Sequence, residues 1–117
     1  MGKLRSAALA AVALTVSFGA AQADDIVIAH VYGKTGPLEA YAKQSHTGLM
    51  MGLEYATNGT MEIDGNKIVV IEKDTQIKPD TGKAAPAEAF DDADPLLAVG
   101  PVSSRAALAS HPGAEAP

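Results

Sequence analysis

The feature that most constrains this chain of 117 residues is the alternation of short apolar runs with segments of helical periodicity. Three runs, at residues 26–31, 67–71 and 96–99, are rich in Ile, Val, Leu and Ala. Such runs are typical of strands buried on both faces, which occur mainly in parallel sheets. The order strand, helix, strand, helix, strand predicts an α/β fold with a partial doubly wound, mostly parallel sheet covered by helices.

The first helix is predicted over residues 38–56, where apolar and small residues recur at three- and four-residue steps. Asn58 and Gly59 follow it, and this pair suits the left-handed backbone that ends many helices. The recurring positions are Leu38, Tyr41, Ala42, Ser45, Leu49, Leu53 and Ala56.

A small hairpin is predicted next, because Asp64 and Gly65 separate the short run 61–63 from the apolar run 67–71. An Asp-Gly pair between such runs favours a two-residue turn. Residues 73–79 are then predicted to form a loop.

Two further helices are predicted with weaker signals. One runs from Asp80 to about Phe90, although Pro86 lies inside it, and proline removes a backbone donor and disturbs a helix. Another opens near Ser103. Residues 111–117 are polar and flanked by proline, and they show no helical or strand pattern.

The first 23 residues are predicted to be a secretory signal peptide. Two basic residues precede an uncharged apolar run at 7–21, and residues 21–23 (Ala-Gln-Ala) have the small-x-small pattern of a cleavage site. The apolar run is shorter than the ~20 residues that a membrane-spanning helix needs. We therefore expect cleavage after Ala23, export from the cytoplasm and a mature chain of residues 24–117.

Charge and cysteine content exclude several classes of function. The chain has 14 acidic and 9 basic residues, and the predicted signal peptide removes two of the basic ones, so the mature chain is strongly acidic. Nucleic acid and anionic membrane surfaces require a basic face, and neither is expected as a partner. Without cysteine there is no disulfide, no thiolate nucleophile and no cysteine metal site.

Other short motifs do not predict a catalytic site, a metal site or a cofactor. The Gly-Lys-Thr tripeptide at 33–35 ends like a phosphate-binding loop, but the glycine required five positions earlier is Ile28. The acidic cluster at 91–94 lacks the glycine and final glutamate of a calcium loop and is expected to be a solvated helix end. The histidines lack metal-ligand spacing and are expected in surface or packing roles; they are His30, His46 and His111.

Ser103 and Ser104 are the strongest candidates for a binding site. A serine there can simply cap the third helix, or the helix N-terminus can receive a carboxylate through hydroxyls and free N–H groups. In a doubly wound sheet, ligands bind outside the carboxyl ends of the strands. If the first and third apolar runs are neighbours, the loops 33–37 and 100–105 face one crevice there. Tyr41 either overhangs that crevice or packs in the core, and no general base is placed beside either serine.

Several segments, taken in order, resemble one family. The chain resembles the N-terminal part of periplasmic solute-binding proteins of the branched-chain amino acid type, the leucine/isoleucine/valine-binding family that serves ABC transporters. The matching segments are 24–31 (DDIVIAHV), 35–38 (TGPL) with Tyr41, 48–56 (GLMMGLEYA), 63–71 (IDGNKIVVI), 72–80 (EKDTQIKPD) and 98–104 (AVGPVSS).

The resemblance implies a type I periplasmic-binding-protein fold of two lobes, with residues 24–117 forming an incomplete N-terminal part of the first lobe. Members are non-enzymatic periplasmic receptors without cofactors, which deliver an amino acid or a related carboxylate or amide to the membrane permease of an ABC transporter. In these proteins a hydroxyl residue after the third strand binds the ligand carboxylate. The resemblance assigns that role to Ser104, with Ser103 beside it, and it assigns Tyr41 the role of a pocket-lining residue. The alternative is the extracellular ligand-binding domain of a signalling receptor with the same fold, and an enzyme on this fold is a third reading.

Overall fold

The computed structural model describes residues 24–114, with side chains through His111. The predicted signal peptide, residues 1–23, lies outside the described residues. Strands and helices alternate along the chain, as the apolar runs predict. The elements are β1 (Ile26–Tyr32), α1 (Glu39–Ala56), β2 (Glu62–Ile63), β3 (Asn66–Asp74), α2 (Pro79–Ala93), β4 (Leu97–Val99) and α3 (Ser104–Ala114).

The four strands form one sheet in the order β2-β3-β1-β4. Strand β1 is parallel to β3, with Ile28 opposite Val70, and parallel to β4, with His30 opposite Val99. Only the short β2 is antiparallel, and it pairs with β3. The sheet is therefore mostly parallel with helices attached, and the predicted α/β fold class is confirmed, as is the expectation that the first and third apolar runs are neighbours.

The side chains of β1 alternate between two covered faces. Ala29 and Val31 pack against Ala85 and Ala89 of α2, and this contact forms a small buried core with Ile71 beside it. The opposite face carries Ile28, His30 and Tyr32, all of them buried, and His30 stacks on His46 of α1. The two faces of β1 thus place α1 and α2 on opposite sides of the sheet.

Helix α1 ends as predicted. Asn58 has a positive φ of 52°, and its N–H donates to the carbonyl of Tyr55 while the N–H of Gly59 donates to that of Glu54. This pair of bonds is the Schellman arrangement, which satisfies carbonyls left free at a helix end.

The recurring apolar and small positions of α1 are buried only in part. Ala42 is fully buried, whereas Tyr41 is 65% exposed, and Ser45 and Ala56 are also exposed. The stripe of α1 that faces the sheet instead includes His46, because His46 lies four residues after Ala42 and therefore on the same side of the helix. The core alternative for Tyr41 is therefore wrong.

The hairpin prediction is confirmed. Asp64 and Gly65 have φ values of 50° and 82°, the positive sign that a two-residue type I′ turn requires at both positions. The strand after the turn is longer than predicted, because β3 continues to Asp74, which pairs with Tyr32. The first two residues of the predicted loop 73–79 therefore belong to the sheet.

Helix α2 continues through Pro86 to Ala93, three residues beyond the predicted end. Proline lacks the N–H that would bond the carbonyl of Gly82 one turn earlier. The hydroxyl of Ser110 in α3 lies 2.7 Å from that carbonyl and 2.6 Å from the carbonyl of Ala106, so it can donate to either. A neighbouring helix thus provides a donor where the proline removes one.

Helix α3 begins where predicted but is longer than predicted, since it includes residues 111–114. The assignment of those residues as patternless was wrong. The helix packs closely on α2, where a Cβ placed on Gly82 would lie 3.0 Å from the Cβ of Ala106. Tertiary packing of this kind supplies most of the stability of short helices.

Apolar side chains remain exposed beside β4 and on α3. Leu96 is 74% exposed and Leu108 is 79% exposed, and β4 is an edge strand. Leu97 is exposed as well, so the expectation that the run 96–99 is a strand buried on both faces is wrong. None of the helices in the described part of the chain is long and apolar enough to cross a membrane.

We expect residues 24–117, produced alone, to fold poorly. The free edge of β4 leaves strand hydrogen-bonding groups unpaired, and the exposed leucines leave apolar surface in water. Small domains are only marginally stable, so these losses weigh heavily. The measurement is thermal unfolding followed by circular dichroism. A sharp, cooperative melt of this segment alone would contradict the expectation.

Candidate functional site

The carboxyl ends of β1 and β4 lie side by side, because the two strands are parallel neighbours. The chain leaving β1 enters α1 on the His30 face. The chain leaving β4 enters α3, which packs on α2 on the other face. Connections that diverge from adjacent parallel strands form the crevice in which α/β proteins bind ligands. The structure therefore provides the crevice geometry that the sequence predicts.

The loop after β1 is tied to the end of β3 by one carboxylate. Asp74 accepts hydrogen bonds from the backbone N–H of Thr35 at 3.2 Å and from its hydroxyl at 2.6 Å. It also accepts the backbone N–H of Gln76 at 2.8 Å. Burial opposes ionisation of Asp74, but the hydrogen bonds from Thr35 and Gln76 outweigh it and lower the pKa of this carboxyl.

The loop after β4 lies directly against the end of β1. Gly100 has a φ of +131°, and a Cβ added there would lie 1.8 Å from the carbonyl oxygen of Val31. A side chain at this position is excluded both by the backbone conformation and by the contact. Glycine thus allows the start of the β4–α3 loop to approach β1 closely.

Ser103 and Ser104 occupy the first positions of α3. The carbonyl of Ser103 accepts the N–H of Ala107 at 2.9 Å, which places Ser103 at the N-cap. Ser103 is buried and Ser104 is exposed. The structure thus places Ser103 at the capping position and Ser104, which is exposed, at the first helical residue.

Tyr41 lies on α1, across the sheet from the two serines. In the part of the chain that the structure describes, no hydrogen bond or ring contact joins its side chain to them. Its exposure is compatible with a ligand-facing role, which stays a prediction.

Neither Ser104 nor Tyr41 lines either of two depressions that lie among the described residues. The larger, of about 410 Å³, lies at the amino ends of β1 and β4, between Ile26 and Leu96. The smaller, of about 80 Å³, lies between β4, α2 and α3, beside Pro86 and Ser110. The larger one is at the opposite edge of the sheet from the crevice.

A partly buried aromatic and polar cluster lies between β1, β3 and α1, and sequence reasoning missed it. The rings of His30 and Tyr32 stack at 4.1 Å between centroids, and His46 stacks on His30 at 5.1 Å. The Nδ1 atoms of the two histidines are 2.9 Å apart. Glu72 accepts a hydrogen bond from the Tyr32 hydroxyl, and Lys34 forms an ion pair with it at 3.4 Å.

The environment shifts the pKa values of this cluster. Burial lowers the pKa of His30 most, and the neighbouring His46 lowers it further. Burial and the hydrogen bond to Glu72 raise the pKa of Tyr32. The same hydrogen bond lowers the pKa of Glu72, and its effect is larger than that of the nearby Lys34 charge. The cluster is therefore arranged around a neutral His30 and an ionised Glu72.

Two features of the amino-acid sequence point to this cluster, although neither of them alone predicts it. His30 interrupts an apolar strand, and His46 stands four residues after Ala42 in the stripe of α1. The described residues contain no group of three or more His, Cys, Asp or Glu side chains placed to hold a metal ion.

Comparison with family models identifies the fold as a known one. Residues 25–116 match the model described as periplasmic binding protein. The chain belongs to the periplasmic binding protein family. Its mostly parallel α/β sheet is part of the type I fold of that family.

Solved structures support this assignment. An ABC-type branched-chain amino acid transporter from Rhodopseudomonas palustris is similar at 67% identity with a TM-score of 0.76, over 78% of this chain and 24% of that chain. A second structure, an ABC transporter from the same organism, has the same identity and TM-score over 78% and 27%. A leucine binding protein from Thermotoga maritima is similar at 26% identity with a TM-score of 0.68, over 77% and 25%. No curated protein matches the chain.

The chain thus spans about a quarter of the length of these structures. For experiments we define the completed protein as residues 24–114 continued by the remaining part of the first Rhodopseudomonas palustris structure. The two chains are 67% identical over the segment that they share.

We expect Asp74→Ala to destabilise the completed protein by about 1 kcal/mol, a low value for bonds to a charged group because this carboxylate is partly solvated. The substitution removes the acceptor for Thr35 and Gln76 at the crevice. Urea denaturation at neutral pH measures the effect.

Asp92→Ala is the matched control, because Asp92 is an exposed acid whose contact is an ion pair with Lys73 at the surface. It should change the urea midpoint little. Equal effects of the two substitutions would show that Asp74 does not hold the loop.

Proposed function

We propose that the protein containing this segment is an extracytoplasmic solute receptor that delivers an amino acid, or a related carboxylate or amide, to the permease of an ABC transporter. Membership of the periplasmic binding protein family supports this, as do similar structures described as a branched-chain amino acid transporter and a leucine binding protein. Those descriptions favour transport over the signalling-receptor alternative. The predicted signal peptide agrees with a periplasmic location.

The observation that carries the proposal is the crevice between the β1–α1 and β4–α3 loops. It presents the N-terminus of α3, where the first backbone N–H groups of a helix have no partner within the helix. These groups and the positive end of the helix dipole favour a carboxylate. Ser104, exposed at that end, adds a hydroxyl donor, and the buried Ser103 fixes the start of the helix.

Because two lobes are expected for the family, this site would close around its ligand. The present segment would hold the carboxylate from one side, through Ser104 and Ser103, and Tyr41 would line the wall on the α1 side. The other lobe would contribute the remaining contacts and close over the ligand. A ligand that contacts both lobes binds the closed form more tightly and shifts the population toward it.

A hydrolytic role is less well supported by the same geometry. A serine nucleophile needs a base within hydrogen-bond distance. In the described part of the chain, no histidine or carboxylate forms a hydrogen bond with Ser103 or Ser104. The serines therefore suit binding better than covalent catalysis.

We expect Ser104→Ala in the completed protein to weaken amino-acid binding by about 1–3 kcal/mol, the range for losing a hydrogen bond to a charged group. Isothermal titration calorimetry measures it, with leucine as the first probe and other branched-chain and aromatic amino acids after it.

Ser45→Ala is the matched control, since Ser45 is an exposed serine on α1. It should leave the affinity unchanged. An unchanged affinity of Ser104→Ala as well would remove Ser104 from the site, and a lack of binding by every amino acid tested would overturn the proposed ligand class.

A further inference from the structure

His30 is buried in a way that a charged histidine does not tolerate. Its side chain is completely inaccessible to solvent. Its Nδ1 faces the Nδ1 of His46 at 2.9 Å, and its Nε2 is buried without any hydrogen-bond partner. In a charged imidazole both nitrogens carry a proton, so Nε2 would become a buried donor without an acceptor.

The contact between the two histidines requires exactly one proton between the two Nδ1 atoms. With one proton, one nitrogen donates and the other accepts. With a proton on each Nδ1, two N–H donors would face each other at hydrogen-bond distance and neither would have an acceptor there. The contact is therefore compatible with a neutral His30. A charged His30 would either oppose its Nδ1–H to a second donor or leave its Nε2–H buried without an acceptor.

His46 also provides the polar side-chain contacts from α1 to the sheet in the described structure. It meets His30 through Nδ1 and lies 3.9 Å from Glu72 through Nε2. The Glu39 and Lys43 side chains of α1 pair with each other on the helix surface instead. Loss of the histidine contact thus removes the main polar link between α1 and β1.

The other charged and titratable groups around His30 are few. Strand β1 contributes Tyr32, and β3 contributes Glu72 and Asp74, the latter engaged by Thr35. The loop after β1 contributes Lys34, which pairs with Glu72. Strand β4, the other neighbour of β1, consists of Leu97, Ala98 and Val99 and adds none.

We propose that the His30–His46 pair is an acid-sensitive contact that fastens α1 to the sheet and releases it when His30 takes up a proton. Helix α1 follows directly on the loop that borders the crevice, so its release changes one wall of the candidate site. The inference rests on the fold and on these contacts, and it stands or falls independently of the proposed ligand.

The direction of the pH dependence follows from burial. Because the pKa of His30 is lowered in the folded state, the released or unfolded chain binds protons more readily than the packed one. The stabilising contribution is complete above the ordinary histidine value of about 6.5 and is lost as the pH falls from there through the lowered pKa. The contribution of Glu72, whose pKa is also lowered, is lost at lower pH because a carboxyl titrates there.

Hydrogen–deuterium exchange of the completed protein at pH values from 7.5 to 5, corrected for the intrinsic exchange rate, tests the proposal. The amides of α1 should lose protection as the pH falls below about 6.5, by up to about tenfold per pH unit for one linked proton. The amides of α2, which pack on the other face, should keep theirs. Constant protection of α1, or parallel loss in α1 and α2, would overturn the proposal.

His30→Phe removes the titrating ring while keeping an aromatic side chain to stack on Tyr32, and it should make α1 protection independent of pH. His111→Gln, a change in α3, is the control and should keep the full pH dependence. Persistence of the dependence in His30→Phe would overturn the assignment.

A measurement on the unaltered protein covers the case in which His30→Phe does not fold. NMR titration of the imidazole carbons should show one ring that titrates below the ordinary value, in the same pH range as the loss of α1 protection. Titration of every histidine at its ordinary value would contradict the proposal.

Discussion

The structure depends on β1, a strand that is paired along both edges and covered on both faces. Its parallel pairing with β3 and β4 fixes the register of the sheet. Its alternating side chains send Ala29 and Val31 to α2 and His30 to α1. Because side chains alternate strictly along a strand, a shift by one residue would exchange the two faces. One strand therefore decides where both helical layers lie and where the crevice opens.

Contacts between elements around this strand supply hydrogen bonds and close packing that the local sequence alone does not. The Ser110 hydroxyl approaches the Gly82 carbonyl that Pro86 cannot bond, so α3 supports a helix that proline would otherwise weaken. Gly100 allows the β4–α3 loop to lie against Val31. These contacts join α3, and with it the two serines, to the end of β1.

Local chemistry made much of the fold predictable. The apolar runs predicted the strands, Asp64 and Gly65 predicted the turn, and Asn58 predicted the end of α1, since each depends on a few consecutive residues. Features that depend on distant contacts were missed or misjudged. Helix α3, for example, packs against α2 through Ala106 and Ser110.

The candidate site was predictable to a similar extent. Ser103 and Ser104 followed from a helix start placed after an apolar run, which is local information. The pairing of His30 with His46 did not, because sixteen residues and a change of direction separate the two. Only the position of α1 on the sheet brings their rings together, and a strand histidine by itself resembles an ordinary packed residue.

The two sides of the crevice differ in what holds them in place. The loop after β1 is tied by Asp74, a carboxyl whose pKa is lowered, so its bonds persist in the pH range where a histidine titrates. Helix α1, immediately after that loop, is fastened through the proposed His30–His46 contact. Falling pH would therefore loosen α1, which carries Tyr41, while leaving the loop and the Ser104 end of α3 in place. Any effect of acid on the site would then enter through its α1 wall.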